Sequence, residues 1–140
     1  MGMHTPPPKG PRYRKTPLWR DSNRFLVEVE TAVRTFPRYH KYTLGSDLRH
    51  QAMNVCRLVA RAAQWRVGPE RAHLLEQLVW QVEDVKMSLQ LGKELKVFAS
   101  FAQFQRLAEQ AVAMGRQSGG WWKRARSAVP ASSSIGGAGA

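Results

Sequence analysis

Residues 43–66, TLGSDLRHQAMNVCRLVARAAQWR, decide how this chain folds. Apolar residues recur along this stretch at alternating spacings of four and three, namely at Leu44, Leu48, Ala52, Val55, Val59 and Ala62. This spacing predicts an amphipathic helix that buries one stripe in a core. The opposite side carries Arg57 and Arg61, and Asp47 is the only acid in the stretch. A helix stabilised by surface ion pairs would alternate Glu with Arg, so this face is suited to a negatively charged partner.

The segments before and after this helix also have helical periodicity. A first helix is expected from about Asp21, capped by Asp21 or Ser22 and ended by Pro37. Its buried side would consist of Phe25, Val29, Ala32 and Phe36. A third helix is expected from about Pro69 to Leu91, with Leu75, Leu78, Val82, Val85 and Leu89 as its inward seam. Trp80 lies off this seam and is a candidate for a second interface.

The fourth helix begins at a capping box, Ser100 followed three residues later by Gln103. Its expected inward residues are Phe104, Ala108, Ala111, Gly115 and Gly119. Glycine inside a helix costs about 1 kcal/mol relative to alanine, so we interpret Gly115 and Gly119 as a tight helix contact within or between subunits. Trp121 and Trp122 follow, and we expect at least one of them to anchor the helix in the core.

Four helices joined by short connections, with no strand pattern, predict an all-α, antiparallel four-helix bundle. The predicted domain organisation has three parts. Residues 1–19 form a disordered, basic, Pro-rich arm, residues 20–126 form the bundle, and residues 127–140 form a disordered Gly/Ser/Ala tail. No apolar run is long enough to span a membrane, and we expect a soluble, cytoplasmic protein.

Positive charge is concentrated at the two ends of the chain and in the first half of the bundle. The 140 residues contain 22 Lys and Arg against 10 Asp and Glu, a net charge of +12. Residues 1–20 and 116–140 hold basic residues and no acid. Such a distribution attracts polyanions, and nucleic acid is favoured over an acidic protein, an anionic membrane or a role in solubility alone.

The connection at residues 36–42, FPRYHKY, combines cations with aromatic rings. Guanidinium groups and aromatic faces together suit stacking on unpaired bases. The alternative is that Tyr39 and Tyr42 close one end of the bundle while the charges are solvated. We favour this alternative for the two tyrosines and a binding role for Arg38 and Lys41.

Catalysis is not indicated. Glu70 and His73 have the Glu-x-x-His spacing of di-iron bundles, but that site needs a second copy, which is missing from the sequence. The single cysteine, Cys56, is best interpreted as a small buried residue. No catalytic residue, metal site or cofactor is therefore predicted.

Four short segments carry a resemblance to a known family. They are FPR at 36–38, TLG at 43–45, MGR at 114–116 and GGW at 119–121, with an acid-bearing third helix between them. This order resembles the accessory variability determinant (Avd) proteins of diversity-generating retroelements. These belong to a wider group of four-helix-bundle proteins that includes proteins encoded in intervening sequences of 23S rRNA genes. The resemblance covers about residues 20–126, and the Gly-Gly-Trp segment is its most specific motif.

The resemblance implies a barrel-shaped homopentamer, encoded by a bacterium or phage. It would bind the retroelement's reverse transcriptase and template RNA, with the cDNA as a further candidate ligand, and support mutagenic cDNA synthesis. The alternative is a helical scaffold that binds an acidic protein or rRNA and is unrelated to reverse transcription.

We predict two sets of site residues. The nucleic-acid-binding candidates are Arg38, Lys41, Arg49, Arg57, Arg61, Lys123, Arg124 and Arg126. The candidates for an oligomer or partner interface are Ala111, Gly115, Gly119, Trp121 and Trp122.

Overall fold

The computed structural model describes Tyr13 and residues 16–129, and the described chain is helical. In order, the helices are α1 (Pro17–Arg34), α2 (Arg38–Lys41), α3 (Leu44–Gln64), α4 (Pro69–Glu94) and α5 (Phe101–Ser127). The four long helices form a closed ring in which α1 and α4 each pack against both α3 and α5. This arrangement confirms the predicted helical bundle. None of the described helices has the length and apolarity needed to cross a membrane.

Polar contacts between helices show that neighbouring helices run in opposite directions. Asn54 Nδ2 donates to Gln81 Oε1 at 2.5 Å, and Ser88 Oγ donates to Gln51 Oε1 at 2.8 Å. Later residues of α4 therefore lie beside earlier residues of α3. The same reversal relates α5 to α1, where Gln117 Nε2 donates to Asp21 Oδ2 at 2.8 Å and Gln110 Nε2 donates to Glu28 Oε2 at 3.1 Å. One end of the bundle, here called the open end, thus contains the starts of α1 and α4 and the ends of α3 and α5. The opposite end is called the closed end.

Helix α1 begins at Pro17, so the predicted start near Asp21 was wrong. The cap is Thr16, whose hydroxyl accepts a hydrogen bond from the Trp19 N–H at 3.3 Å. Pro17 is favourable at the first helical position because its missing N–H would have no partner there. The predicted boundary at residue 20 therefore lies within a helix, and Ser127 belongs to α5. The disorder predicted for most of the arm and of the tail concerns residues outside the described ones.

The core contains the predicted seams of α3 and α4. Each predicted inward residue of these two helices is buried, from Leu44 to Ala62 in α3 and from Leu75 to Leu89 in α4. The buried residues of α1 also include the predicted Phe25, Val29 and Ala32, and Phe36 follows just after the helix. The strict periodicity of these segments therefore predicted the correct faces.

The buried face of α5 is rotated about the helix axis relative to the predicted one. Its buried residues are Leu107, Ala111, Met114, Ser118 and Ala125. Of the expected set only Ala111 is buried, whereas Phe104, Ala108, Gly115 and Gly119 are half-buried. Burying Leu107 and Met114 removes more apolar surface from water than burying glycines, and this gain determines the rotation of the helix.

Glycines in the described helices differ in how closely they are packed. A Cβ atom at Gly92 would lie 2.8 Å from Phe98 Cε2, and one at Gly115 would lie 3.1 Å from Lys86 Nζ. A Cβ atom at Gly119 would meet no atom of the other described segments within 4 Å. The tight helix contact predicted for the glycine pair is therefore found within the subunit at Gly115 and is not found at Gly119.

Aromatic and apolar residues pack together at the closed end. The rings of Phe36 and Phe98 meet edge to face with centroids 5.4 Å apart, and Val97 is buried beside them. The chain reverses after α4 through Lys96, which has a φ of 59°. Val97 N–H then donates to Gly92 O at 3.1 Å, which satisfies a carbonyl at the end of the helix. α5 starts at the predicted Ser100 cap, whose hydroxyl accepts from the Gln103 N–H at 3.1 Å.

Candidate nucleic-acid interface

The predicted basic residues lie in separate parts of the bundle. Arg38 and Lys41 are in α2 at the closed end, whereas Lys123, Arg124 and Arg126 are in the last turns of α5 at the open end. Helix α3, with 21 residues, runs between the two ends. At 1.5 Å per residue it separates them by about 30 Å. The candidates therefore do not form one compact site, and only an extended polyanion could contact all of them at once.

Most candidate cations have no carboxylate partner among the described residues. Arg49 is the exception, because its Nε lies 2.7 Å from Glu30 Oε2. The other ion pairs of the described chain use Lys86 and Arg106, neither of which was a candidate. The seven remaining candidates form no ion pair within the part of the chain that the structure describes. Their charges are therefore not neutralised locally.

The outer face of α3 presents Arg57 and Arg61 to solvent. Both side chains are exposed and lie one helical turn apart. One turn before Arg57, the hydrogen bond between Asn54 and Gln81 fixes the register of α3 against α4. Because Arg61 is in the last turn of α3, this face reaches the open end.

The structure contradicts the interpretation that we favoured for the two tyrosines. Tyr39 is 84% exposed and Tyr42 is 74% exposed, so neither closes the bundle. Phe36, which is 4% exposed, takes that role because it has no hydroxyl group to desolvate. The two phenol rings stand in solvent beside Arg38 and Lys41, as a stacking surface for unpaired bases requires.

The two consecutive tryptophans both pack against the core, as predicted for at least one of them. Each is half-buried and each has an arginine nearby. The Arg126 guanidinium carbon lies 4.4 Å from the centroid of the Trp122 ring, and that of Arg71 lies 5.8 Å from the Trp121 ring. These are distances at which a cation is attracted to an aromatic face. The tryptophans therefore anchor the end of α5 and also position cations.

The predicted interface residues are largely occupied within their own subunit. Ala111 is fully buried, so its side chain is not available to a second molecule. Gly115 faces Lys86 of the same chain, and both tryptophans pack on the core. An exposed apolar row is found instead on α4, where Trp80, Met87 and Leu91 are 64%, 68% and 49% exposed. The sequence position of Trp80, off the inward seam, was the signal for this row.

The open end contains a cavity of about 520 Å³ that the sequence did not reveal. It is lined by Thr16, Pro17, Leu18, Ala63, Arg71, Arg116, Gln117, Gly120, Trp121 and Arg124. We call it the arginine pocket. Arg71 and Arg116 were not among the candidates. An antiparallel bundle places the start of α4 beside the end of α5, so the position of Arg71 near the start of its helix was a usable signal.

No group of three or more metal-ligating side chains occurs among the described residues. Glu70 and His73 lie beside a shallow surface pocket with Trp65, and the His73 ring pairs with Gln77 at 3.0 Å. Cys56 is buried, and this burial raises the pKa of its thiol. A thiol with a raised pKa forms little thiolate near neutral pH and is a poor nucleophile.

Comparison with protein-family models and with curated proteins gave no match for this chain. Its function is therefore inferred from the arrangement of the described residues and from the four short motifs of the sequence.

Proposed function

We propose that this protein is a non-catalytic, nucleic-acid-binding accessory subunit of a diversity-generating retroelement. It would bind the reverse transcriptase and its template RNA. The observation that carries the nucleic-acid part is that every candidate cation except Arg49 lacks a carboxylate partner in the described chain. Unpaired cations release the counterions of a phosphate backbone without first giving up an ion pair of their own.

The exposed tyrosines support a single-stranded ligand. Tyr39 and Tyr42 expose apolar ring surface to water and fill no space in the bundle. Stacking on bases would bury these rings, and it stabilises a complex by about 1–3 kcal/mol per base. The bases of a duplex are already stacked on one another, so template RNA in its unpaired regions is the better match.

The oligomer belongs to the same proposal. The resemblance implies a barrel-shaped homopentamer, and the exposed row of Trp80, Met87 and Leu91 on α4 offers a surface for it. These residues lie on the side of α4 opposite to the core-facing Val82 and Val85, between the exposed acids Glu76 and Asp84. An exposed apolar row bordered by polar residues is typical of a surface that another chain covers. We therefore propose that α4 of one subunit packs against a second copy of the chain.

The proposal as a whole is tested by the mass of the purified protein in solution. The single chain has a mass of 15.8 kDa, and the homopentamer would have five times that mass. Co-expression with the reverse transcriptase and template RNA of a diversity-generating retroelement should give a complex that survives moderate salt. A single-chain species that binds neither partner would contradict the assignment.

RNA binding by the α3 face is tested by changing Arg57 and Arg61 together to alanine. We expect weaker binding to every single-stranded RNA, because contacts with phosphates carry no sequence information. The slope of log affinity against log salt should fall by about 0.7 for each phosphate that the variant no longer neutralises. The measurement is a titration of labelled RNA at several salt concentrations.

The matched control replaces Lys86 and Arg106 with alanine. It removes the same formal charge, but from two cations that are paired with Glu83 and Glu28. If the control and the α3 variant changed the slope equally, net charge would explain the binding and the α3 face would not be the site.

A helical scaffold for a protein partner is the second candidate. The exposed apolar row on α4 favours it, because such a row can bind another protein as well as a second copy. The titration separates the two candidates, since a scaffold without a nucleic-acid ligand would show no binding of RNA at physiological salt.

A further inference from the structure

The arginine pocket lies where four segments distant in sequence come together. The start of α1 contributes Thr16 and Pro17, the end of α3 contributes Ala63, and the start of α4 contributes Arg71. The remaining wall comes from residues 116–124 of α5. A volume of about 520 Å³ is within the range of small-molecule sites. A site assembled from four helices has a defined shape, unlike a charged patch on a single helix.

Three arginines line this pocket, and no carboxylate of the described residues does. Arg116 and Arg124 are the two whose charge an anion would meet, because the Arg71 guanidinium is already hydrogen-bonded to the end of α3. Arg71 is held in place because its Nε donates to Ala62 O at 2.9 Å, at the end of α3. Arg116 and Arg124 are exposed and form no ion pair with any residue of the described ranges. The lining residue Gln117 is hydrogen-bonded to an acid, since it donates to the carboxylate of Asp21, which lies outside the lining. The pocket is therefore strongly suited to an anion.

The positive end of the α1 dipole adds to this preference. The first residues of this helix, Pro17 and Leu18, line the pocket, and the helix has 18 residues. The N-terminus of such a helix carries about half a positive charge. Here the dipole reinforces the charges of Arg116 and Arg124, which line the same space, so the site does not depend on the helix end alone.

The other wall of the pocket is apolar. Leu18 and Ala63 are buried, and the half-buried indole ring of Trp121 stands next to the Arg71 guanidinium. A flat apolar surface beside arginines suits a nucleobase or a ribose, because bases stack on aromatic rings and on guanidinium planes. A bare inorganic anion would leave this wall without a partner.

We propose that the arginine pocket binds a 5′-phosphorylated nucleotide at the end of an RNA strand. A terminal phosphate carries about −1.5 to −2 charges at pH 7, more than the single charge of an internal phosphodiester. Arg116 and Arg124 therefore interact more favourably with the terminal group. The base or ribose then lies against Trp121 and its neighbours. The RNA source of this nucleotide rests on the proposed function, whereas the chemistry of the pocket does not.

The test compares one single-stranded RNA octamer carrying a 5′-phosphate with the same octamer carrying a 5′-hydroxyl. The full-length protein should bind the phosphorylated strand about tenfold more tightly, as determined by fluorescence polarisation. The doubly substituted Arg116→Gln, Arg124→Gln protein should bind both strands equally. In the control, Arg57→Gln with Arg61→Gln, affinity for both strands should fall while the preference is kept.

A second variant guards against an effect on folding. Gly120 lines the pocket, and a Cβ atom there would lie 3.4 Å from Arg124 Nη1. Gly120→Leu should fill the space and remove the preference while helix content, followed by circular dichroism, stays unchanged. Leucine favours a helix more than glycine, so this change does not weaken α5.

Each outcome decides a different part of the proposal. Equal affinity for the two octamers would overturn the pocket assignment and leave RNA binding intact. Binding of adenosine 5′-monophosphate without binding of either octamer would support a nucleotide pocket, with the free nucleotide as its source, and would contradict the proposed function. Competition by inorganic phosphate as effective as that by the nucleotide would overturn the role of the apolar wall.

Discussion

The same four helices form both ends of the bundle, but the side chains at the two ends are packed differently. At the closed end, Phe36 and Phe98 pack edge to face, and the connection that contains Val97 folds back over Gly92. At the open end, a cavity of about 520 Å³ remains, lined by three arginines. Clustered cations repel one another and contribute little packing, so they stabilise the fold less than aromatic rings do. The buried aromatic packing is thus found at the closed end and the arginine pocket at the open end, while candidate RNA contacts lie at both ends.

The largest expected effect comes from removing the aromatic packing of the closed end. Phe36→Ala should lower the free energy of unfolding by about 3–5 kcal/mol, because it leaves a cavity among buried side chains. Trp121→Ala at the open end should cost less, since Trp121 is only half-buried. Urea denaturation of both variants measures the difference. Tyr39→Ala, at a side chain that is 84% exposed, is the control and should change stability by no more than about 0.5 kcal/mol. Equal destabilisation at the two ends would remove the contrast.

Two glycine substitutions, one near each end, should change the free energy of unfolding by smaller amounts and in opposite directions. Gly92→Ala places a Cβ atom 2.8 Å from Phe98, and we expect a destabilisation of about 1–3 kcal/mol from overpacking. Gly119→Ala, where no atom of the other described segments lies within 4 Å of the new Cβ atom, should increase stability by up to about 1 kcal/mol through higher helix propensity. Thermal unfolding of both variants reports the two signs. A stabilised Gly92→Ala protein would show that the closed end is less tightly packed than described.

The smallest effect concerns the turn that closes α4. Lys96 has a φ of 59°, in the region that favours glycine. Lys96→Gly should therefore relieve backbone strain and stabilise the fold by up to about 1 kcal/mol. The greater conformational entropy of glycine in the unfolded chain offsets part of this gain. Lys96→Ala removes the same charge but keeps the strained backbone, so it should bring no gain. A gain of similar size in both variants, again from urea denaturation, would point to charge instead of backbone conformation.

The bundle could be predicted because α3 and α4 have strict apolar periodicity. The face of α5 could not, because Gly115 and Gly119 resemble a packing stripe, whereas Leu107 and Met114 gain more from burial. The roles of the aromatic residues at the closed end depend on tertiary packing. Phe36 and Tyr39 have similar sequence contexts, but Phe36 is buried and Tyr39 is exposed. The arginine pocket was not predicted, because Thr16 and Ala63 meet residues 116–124 only after the helices pack, and the antiparallel order gave a signal for Arg71 alone.

The antiparallel order places the start of α1 and the finish of α5 at the open end. An affinity tag or fusion partner joined directly to Thr16 or Ser127 would therefore be attached at the same end of the bundle as the arginine pocket and would compete for the same space. A circular permutant offers the remedy, with the two termini joined and the chain cut between α4 and α5. Its new termini lie about one bundle length away. Titrations with such a protein would report on the pocket without interference from the attachment.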